Sequence, residues 1–298
     1  MLQLPVPDAG HREYTSPLHG SSDALAIATL AARARPLLVV TENAWHAQRL
    51  LEEIPYFDPN LKVHLFPDWE TLPYDHFSPH SDLVSERLAT LYQSMHNQFD
   101  VVVVAVTTAL YRLPPVSYLA GHTFFFKQGD KLDGAELRRQ LTLAGYAHVT
   151  QVVAPGEYSF RGGLIDLFPM GSALPYRIDL FDDEIETIRS FDVDTQRSIY
   201  KVNDVRLLPA REFPMDEAAQ KRFRHYFREK FEGDPSRSRV YKDVSKGIPT
   251  SGIEYYMPLF FESTATVFDY LPEKTTVCVY PGIAQCMDAF WSDTNSRY

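Results

Sequence analysis

The stretch VVVVAV, residues 101–106, decides the fold of this chain. It is apolar at every position, so a strand made from it has no face for water and must be covered on both sides. LLVV (37–40) is of the same kind, and KVHLF (62–66) reads as a further strand. Helical patterns separate them. Ser21, Ser22 and Asp23 offer N-caps for DALAIATLAARA, which stops before Pro36. Ala47, Leu50, Leu51 and Ile54 form one apolar stripe, and Val84, Leu88, Leu91 and Met95 mark a third helix. Buried strands alternating with helices predict an α/β domain built on a parallel sheet.

The pattern changes near Pro114-Pro115. Phe124–Phe126 reads as a strand, DGAELRRQLTLAGY as a helix ending at Gly145, and the chain from there to Leu208 as mostly strands. In YRIDLF (176–181), Tyr176, Ile178 and Leu180 share one face, leaving Arg177, Asp179 and Phe181 on the other. Asp182 and Asp183 turn the chain toward EIETIRSF. After Pro209, Ala219, Phe223, Phe227 and Phe231 repeat at helical spacing until Gly233-Asp234-Pro235. A loop rich in Tyr, Ser and Gly follows, and then TTVCVY (275–280) predicts another buried strand that rejoins the parallel sheet. The expected organisation is an α/β domain, residues 1–122 and 210–298, interrupted by a small α+β domain at 123–209. AFWSDTNSRY gives no domain end, which suggests a piece of a longer chain.

Composition narrows the function. With 298 residues, 45% hydrophobic and 23% charged, the chain has ample material for a soluble core. A net charge of −10 argues against non-specific nucleic-acid binding, which needs clustered cations. Cys278 and Cys286 form no C-x-x-C pair, which suits a reducing compartment without disulfides or structural zinc. The start, MLQLPVPDAGHREYTS, has no signal-peptide pattern, and no apolar run approaches the ~20 residues of a membrane span. A cytoplasmic protein without a membrane partner is expected.

Nucleotide chemistry is the first thing a parallel sheet suggests. A phosphate loop would precede the first helix, at LHGSSDALA, but Gly20 and its serines come without the lysine that reaches the β and γ phosphates. The buried strands run into Thr107-Thr108 and Pro281-Gly282, with no Asp-Glu pair for magnesium. DDEIE (182–186) reads as a solvated acidic turn. Asp75, His76, His80 and Asp82 cluster in sequence as metal-ligand types, but PYDHFSPHSD has no fixed periodicity and ordinary loop residues are favoured. Neither a catalytic residue, a cofactor nor a metal is predicted.

FRGGLIDLFP (160–169) is the remaining candidate. Its glycines fit either a bulge packed on its own sheet or an edge that another surface approaches. Arg161 fits either an internal pair with Asp166 or Asp179, or a planar fork for a partner's carboxylate. On the residues alone the internal reading leads, because strand arginines are usually solvated or paired.

Three segments change that order. DWETLPYDHFSPHSDLVSERLATLYQ (68–93), GEYSFRGGLIDLFPMGSALPYRIDLFDDEIETIRSFDVDTQRS (156–198) and GIEYYMPLFF (252–261) resemble the N-terminal part of the bacterial transcription-repair coupling factors. That region is itself similar to the excision-repair protein UvrB. GIEYYMPLFF with VFDYLPEKTTVCVY resembles the UvrB segment leading into its Asp-Glu motif. The resemblance implies a helicase-like domain with a degenerate phosphate loop, interrupted by a UvrA-binding domain. PYDHFSPH stands where UvrB carries its DNA-inserting hairpin. The family's UvrA-contacting surface corresponds here to Arg161, Arg177 and Phe181, with Asp179 as a candidate orienting partner. The implied function is a non-catalytic UvrB mimic that recruits UvrA to lesions where transcription has stalled. By the same resemblance, motor activity and binding of DNA and RNA polymerase belong to other domains of the full-length protein, which also mask the UvrA surface. The alternative is a DNA-dependent ATPase or a DNA-binding module.

Overall fold

The computed structural model describes residues 4–297; residues 1–3 and 298, at the outer ends of the expected first and last domains and of the expected leaderless start, lie outside them. In chain order come α1 (Ser22–Ala34), β1 (Leu37–Thr41), α2 (Ala44–Phe57), β2 (Val63–Phe66), α3 (Ser81–Met95) and β3 (Val101–Ala105). Next are α4 (Val106–Ala109), α5 (Val116–Gly121), β4 (Phe124–Lys127), α6 (Gly134–Leu143), β5 (Ala147–His148) and β6 (Glu157–Arg161). Then follow β7 (Leu164–Phe168), β8 (Tyr176–Phe181), β9 (Glu184–Phe191), β10 (Ser198–Val202) and β11 (Asp204–Leu207). α7 (Glu217–Lys230), α8 (Arg239–Ser245), β12 (Thr276–Val279) and α9 (Ile283–Arg297) complete the series. Two compact units result, one of Met1–Pro73, Thr90–Tyr111 and Thr266–Tyr298, the other of Tyr74–Ala89 and Arg112–Ala265.

The first unit holds a parallel sheet in the order β12-β1-β3-β2, with Leu37 opposite both Val101 and Thr276. β1 and β3 are buried throughout, because the sheet's central strands are the ones covered on both faces. Ala24, Ile27 and Leu30 of α1 and Ala47, Leu50 and Ile54 of α2 pack with Leu37, Val39, Val101 and Val103 as one core. β12 rejoins the sheet, yet it is not the buried strand that TTVCVY suggested. As an edge strand it leaves Val277 and Val279 43% and 60% exposed. Asn43 caps α2 by accepting from the backbone N–H of His46 at 2.8 Å. α1 has no such cap: it begins at Ser22, whose hydroxyl donates back to the His19 carbonyl.

In the second unit, strands follow the order β10-β9-β8-β7-β6-β5, antiparallel except for β5 beside β6. Tyr158, Ile165, Leu167, Ile178, Ile185 and Ile188 are buried along the strands. α6, capped by Asp133, lies over this apolar face: Thr142 Oγ1 is 3.1 Å from the Tyr158 hydroxyl, and the Arg138 guanidinium sits over the Phe160 ring. β4 is a strand as predicted, but it pairs with β11 in a separate two-stranded sheet.

Residues 236–261, expected as loop, contain α8 and a 3₁₀ segment, Ile253–Phe260. Tyr241 and Val244, with Ile253, Met257 and Phe260, bury against Phe223 and Phe227 of α7. Aromatic packing, not helix propensity, orders this polar-looking stretch. Arg87 of α3 meets Glu212 with both side chains essentially buried, Nε to Oε1 at 2.6 Å and Nη2 to Oε2 at 3.2 Å. Among the described residues, no helix is long and apolar enough to cross a membrane.

Candidate functional site

FRGGLIDLFP folds as a hairpin. Arg161 closes β6, Leu164 opens β7 opposite it, and Gly162-Gly163 form the two-residue turn. The glycines are therefore a turn, not the bulge considered above. Gly162 takes φ +62°, and a Cβ on Gly163 would stand 3.0 Å from the Leu180 carbonyl oxygen. Gly163 in turn accepts from the Leu180 N–H at 2.8 Å. β8 and β9 are joined in the same way by Asp182-Asp183, with Asp182 at φ +54°. Between these turns and the residues leading into α6 lies an open groove of ≈ 800 Å³, lined by Lys131, Asp133, Gly163, Leu180, Asp182 and Asp183 among others.

The sheet face opposite α6 is polar. Strand pairing sets Ser159, Asp166, Arg177, Arg189 and Lys201 in one row across it. Arg177, expected to project outward, has only 15% of its side chain exposed. Its Nε and Nη2 donate to the two carboxylate oxygens of Asp166 at 2.7 and 2.9 Å, and Nη1 donates to the Gln196 carbonyl at 3.1 Å. The guanidinium also lies 4.9 Å from the centre of the Phe191 ring. The bonds to Asp166 push Arg177 further above the ordinary arginine range, against the opposing effect of burial.

Arg161 also pairs with Asp166, as the internal reading foresaw, yet half of its side chain remains in solvent. Asp179 accepts from Thr187 Oγ1 at 2.6 Å and is ion-paired with Arg189. Phe181, the last residue of β8, is 70% exposed. Arg161 and Phe181, the residues just before the two turns, stand at the hairpin-tip end of the sheet on the same polar side as Arg177 and Asp179, and neither lines the groove. Sequence reasoning missed Arg189 and gave Asp166 too small a part. The signal for Asp166 was its place as the one charge inside an apolar strand run.

A second polar cluster lies in the first turn of α1. Burial by itself would raise the Asp23 carboxyl, but hydrogen bonds from Arg49 and the Tyr280 hydroxyl outweigh it and hold Asp23 below the usual carboxylate range. Arg49 Nη2 is 2.5 Å and Tyr280 Oη 2.8 Å from Asp23 Oδ2, and His46 Nε2 stands 3.4 Å away. Among the described residues, no three His, Cys, Asp or Glu side chains are grouped as metal ligands, the segment 75–82 included.

The sequence profile of a family described as the UvrB interaction domain matches residues 124–213. The transcription-repair-coupling factor of Escherichia coli (strain K12) is 45% identical over 297 residues, covering 99% of this chain and 26% of that protein. The same-named protein of Haemophilus influenzae is 43% identical over 302 residues, again 99% of this chain and 26% of the relative. That of Bacillus subtilis (strain 168) is 27% identical over 87% of this chain and 23% of the relative. The chain spans about a quarter of the length of the curated relatives it matches. It belongs to the transcription-repair-coupling factor family, as the N-terminal region that carries the UvrB interaction domain.

Proposed function

We propose that this chain is the UvrA-recruiting module of a transcription-repair-coupling factor, docking through the hairpin-tip end of the six-stranded sheet. The observation that carries the reading is an exposed aromatic and a half-exposed guanidinium at the same hairpin-tip end of one sheet, Phe181 and Arg161. A large apolar ring left in water at a strand end contributes little to the fold and much to an interface. Arg161 adds a planar donor fork suited to a carboxylate. The docking domain corresponds to residues 123–209, set within an α/β domain formed by 1–122 and 210–298.

The module acts without catalysis of its own. At the start of α1, where a nucleotide phosphate would approach, the buried Asp23 presents negative charge and engages Arg49 and Tyr280. Motor activity, with DNA and RNA polymerase as its partners, then belongs to regions beyond these 298 residues. Calorimetric titration of the chain with purified UvrA tests the docking, with saturable binding expected and no heat of binding refuting it. Phosphate release from ATP in the presence of duplex DNA is expected at background level.

A further inference from the structure

Asp166 joins the two arginines of the candidate surface. It lies in β7 with 1% of its surface exposed, accepting two hydrogen bonds from Arg177 and a further one from Arg161 Nη2. Resting on the docking function above, we propose that Asp166 is the positioning residue of that surface. It locks Arg177 across the sheet and, through Arg177 and its own remaining acceptor capacity, fixes Arg161 at the hairpin tip for a carboxylate of the partner.

Geometry favours Asp166 over Asp179 for this part. Asp179 is taken up by Thr187 and Arg189, while Asp166 alone touches both arginines. Arg161 and Asp166 are diagonal neighbours on adjacent strands, since Arg161 faces Leu164 and Asp166 faces Ser159. The half of the Arg161 side chain left in solvent suits an acidic residue on UvrA. A free arginine at a hairpin tip would lose rotamer freedom on binding, and one already tethered loses less. Arg177 acts mainly from below, because Asp166, Gln196 and Phe191 already engage its guanidinium.

The test is a set of calorimetric titrations of the 298-residue chain with UvrA, using Arg161→Ala, Asp166→Asn, the double variant and Phe181→Ala. Arg161→Ala and Asp166→Asn are each expected to weaken binding about tenfold, and the double variant no more than Arg161→Ala alone. A merely structural role for Asp166 would make the two losses multiply, which overturns the proposal. So does full affinity in Asp166→Asn. In either case, continued binding by the wild type and its loss in Phe181→Ala leave the docking function standing. A wild type that fails to bind UvrA removes both. If Asp166→Asn does not fold, nitrogen-resolved NMR of the wild-type guanidinium groups decides. Slow rotation about Nε–Cζ is expected for Arg161 and Arg177, and rapid averaging at Arg161 overturns the assignment.

Discussion

Phe181, Arg161 and Arg177 stand within a few residues of two turns, yet their substitution by alanine should separate cleanly. Phe181 is mostly in solvent, so Phe181→Ala should leave the unfolding free energy within about 0.5 kcal/mol of wild type while removing about 2 kcal/mol of UvrA affinity. Arg161→Ala removes a half-exposed ion-pair partner and should cost at most about 1 kcal/mol of stability. Arg177→Ala withdraws the bidentate partner of a buried carboxylate and should cost about 2 kcal/mol or more. Urea unfolding beside calorimetry reads both quantities, and equal stability for all three variants would refute this ordering. The sequence already placed Arg177 and Phe181 on one side of β8. It did not show that Phe191 and Gln196, distant in the chain, enclose Arg177, because alternation assigns a face and not what covers it.

Single elements show where pattern reading works. β1, β3, α2 and α7 follow their apolar periodicity because one element decides its own buried face. β12 misled, since its rank in the sheet depends on what lies beyond it and not on its composition. The helical turns after residue 236 misled for a related reason: Tyr241, Val244 and Ile253 gain order only against Phe223 and Phe227. Phe223→Ala should therefore cost about 3–5 kcal/mol and melt these turns together, seen as lost amide protection from 239 to 260. Protection confined to its wild-type pattern would show that they fold independently. At the β6–β7 turn, Gly162→Ala should cost about 1 kcal/mol, because only backbone strain opposes it in open space. Gly163→Ala should disturb the groove more, since its Cβ meets the backbone of β8.

Across the whole molecule, the three tryptophans, Trp45, Trp69 and Trp291, all fall in the first unit, so their fluorescence follows that unit's unfolding. Asp23 contributes to its acid response. A carboxyl held below its unfolded value of about 3.9 stabilises the fold above that pH and loses this contribution as pH falls through the folded value. Fluorescence-monitored urea midpoints should therefore drop below about pH 4, and Asp23→Asn should flatten that slope while lowering stability at pH 7. Arg49 and Tyr280 hold the Asp23 carboxylate and do not titrate there. Asp100 of the same unit is, against the effect of burial, also held low by the Lys62 N–H and Arg35, so a slope unchanged by the substitution would assign the response to Asp100. The exposed margin of the parallel sheet has a practical outcome. Among the described residues, β12 lies at the sheet's edge and leaves two valines bare to any strand that arrives. Solutions of this chain should scatter more light as they are concentrated, and a lysine at Val279 should keep them clear.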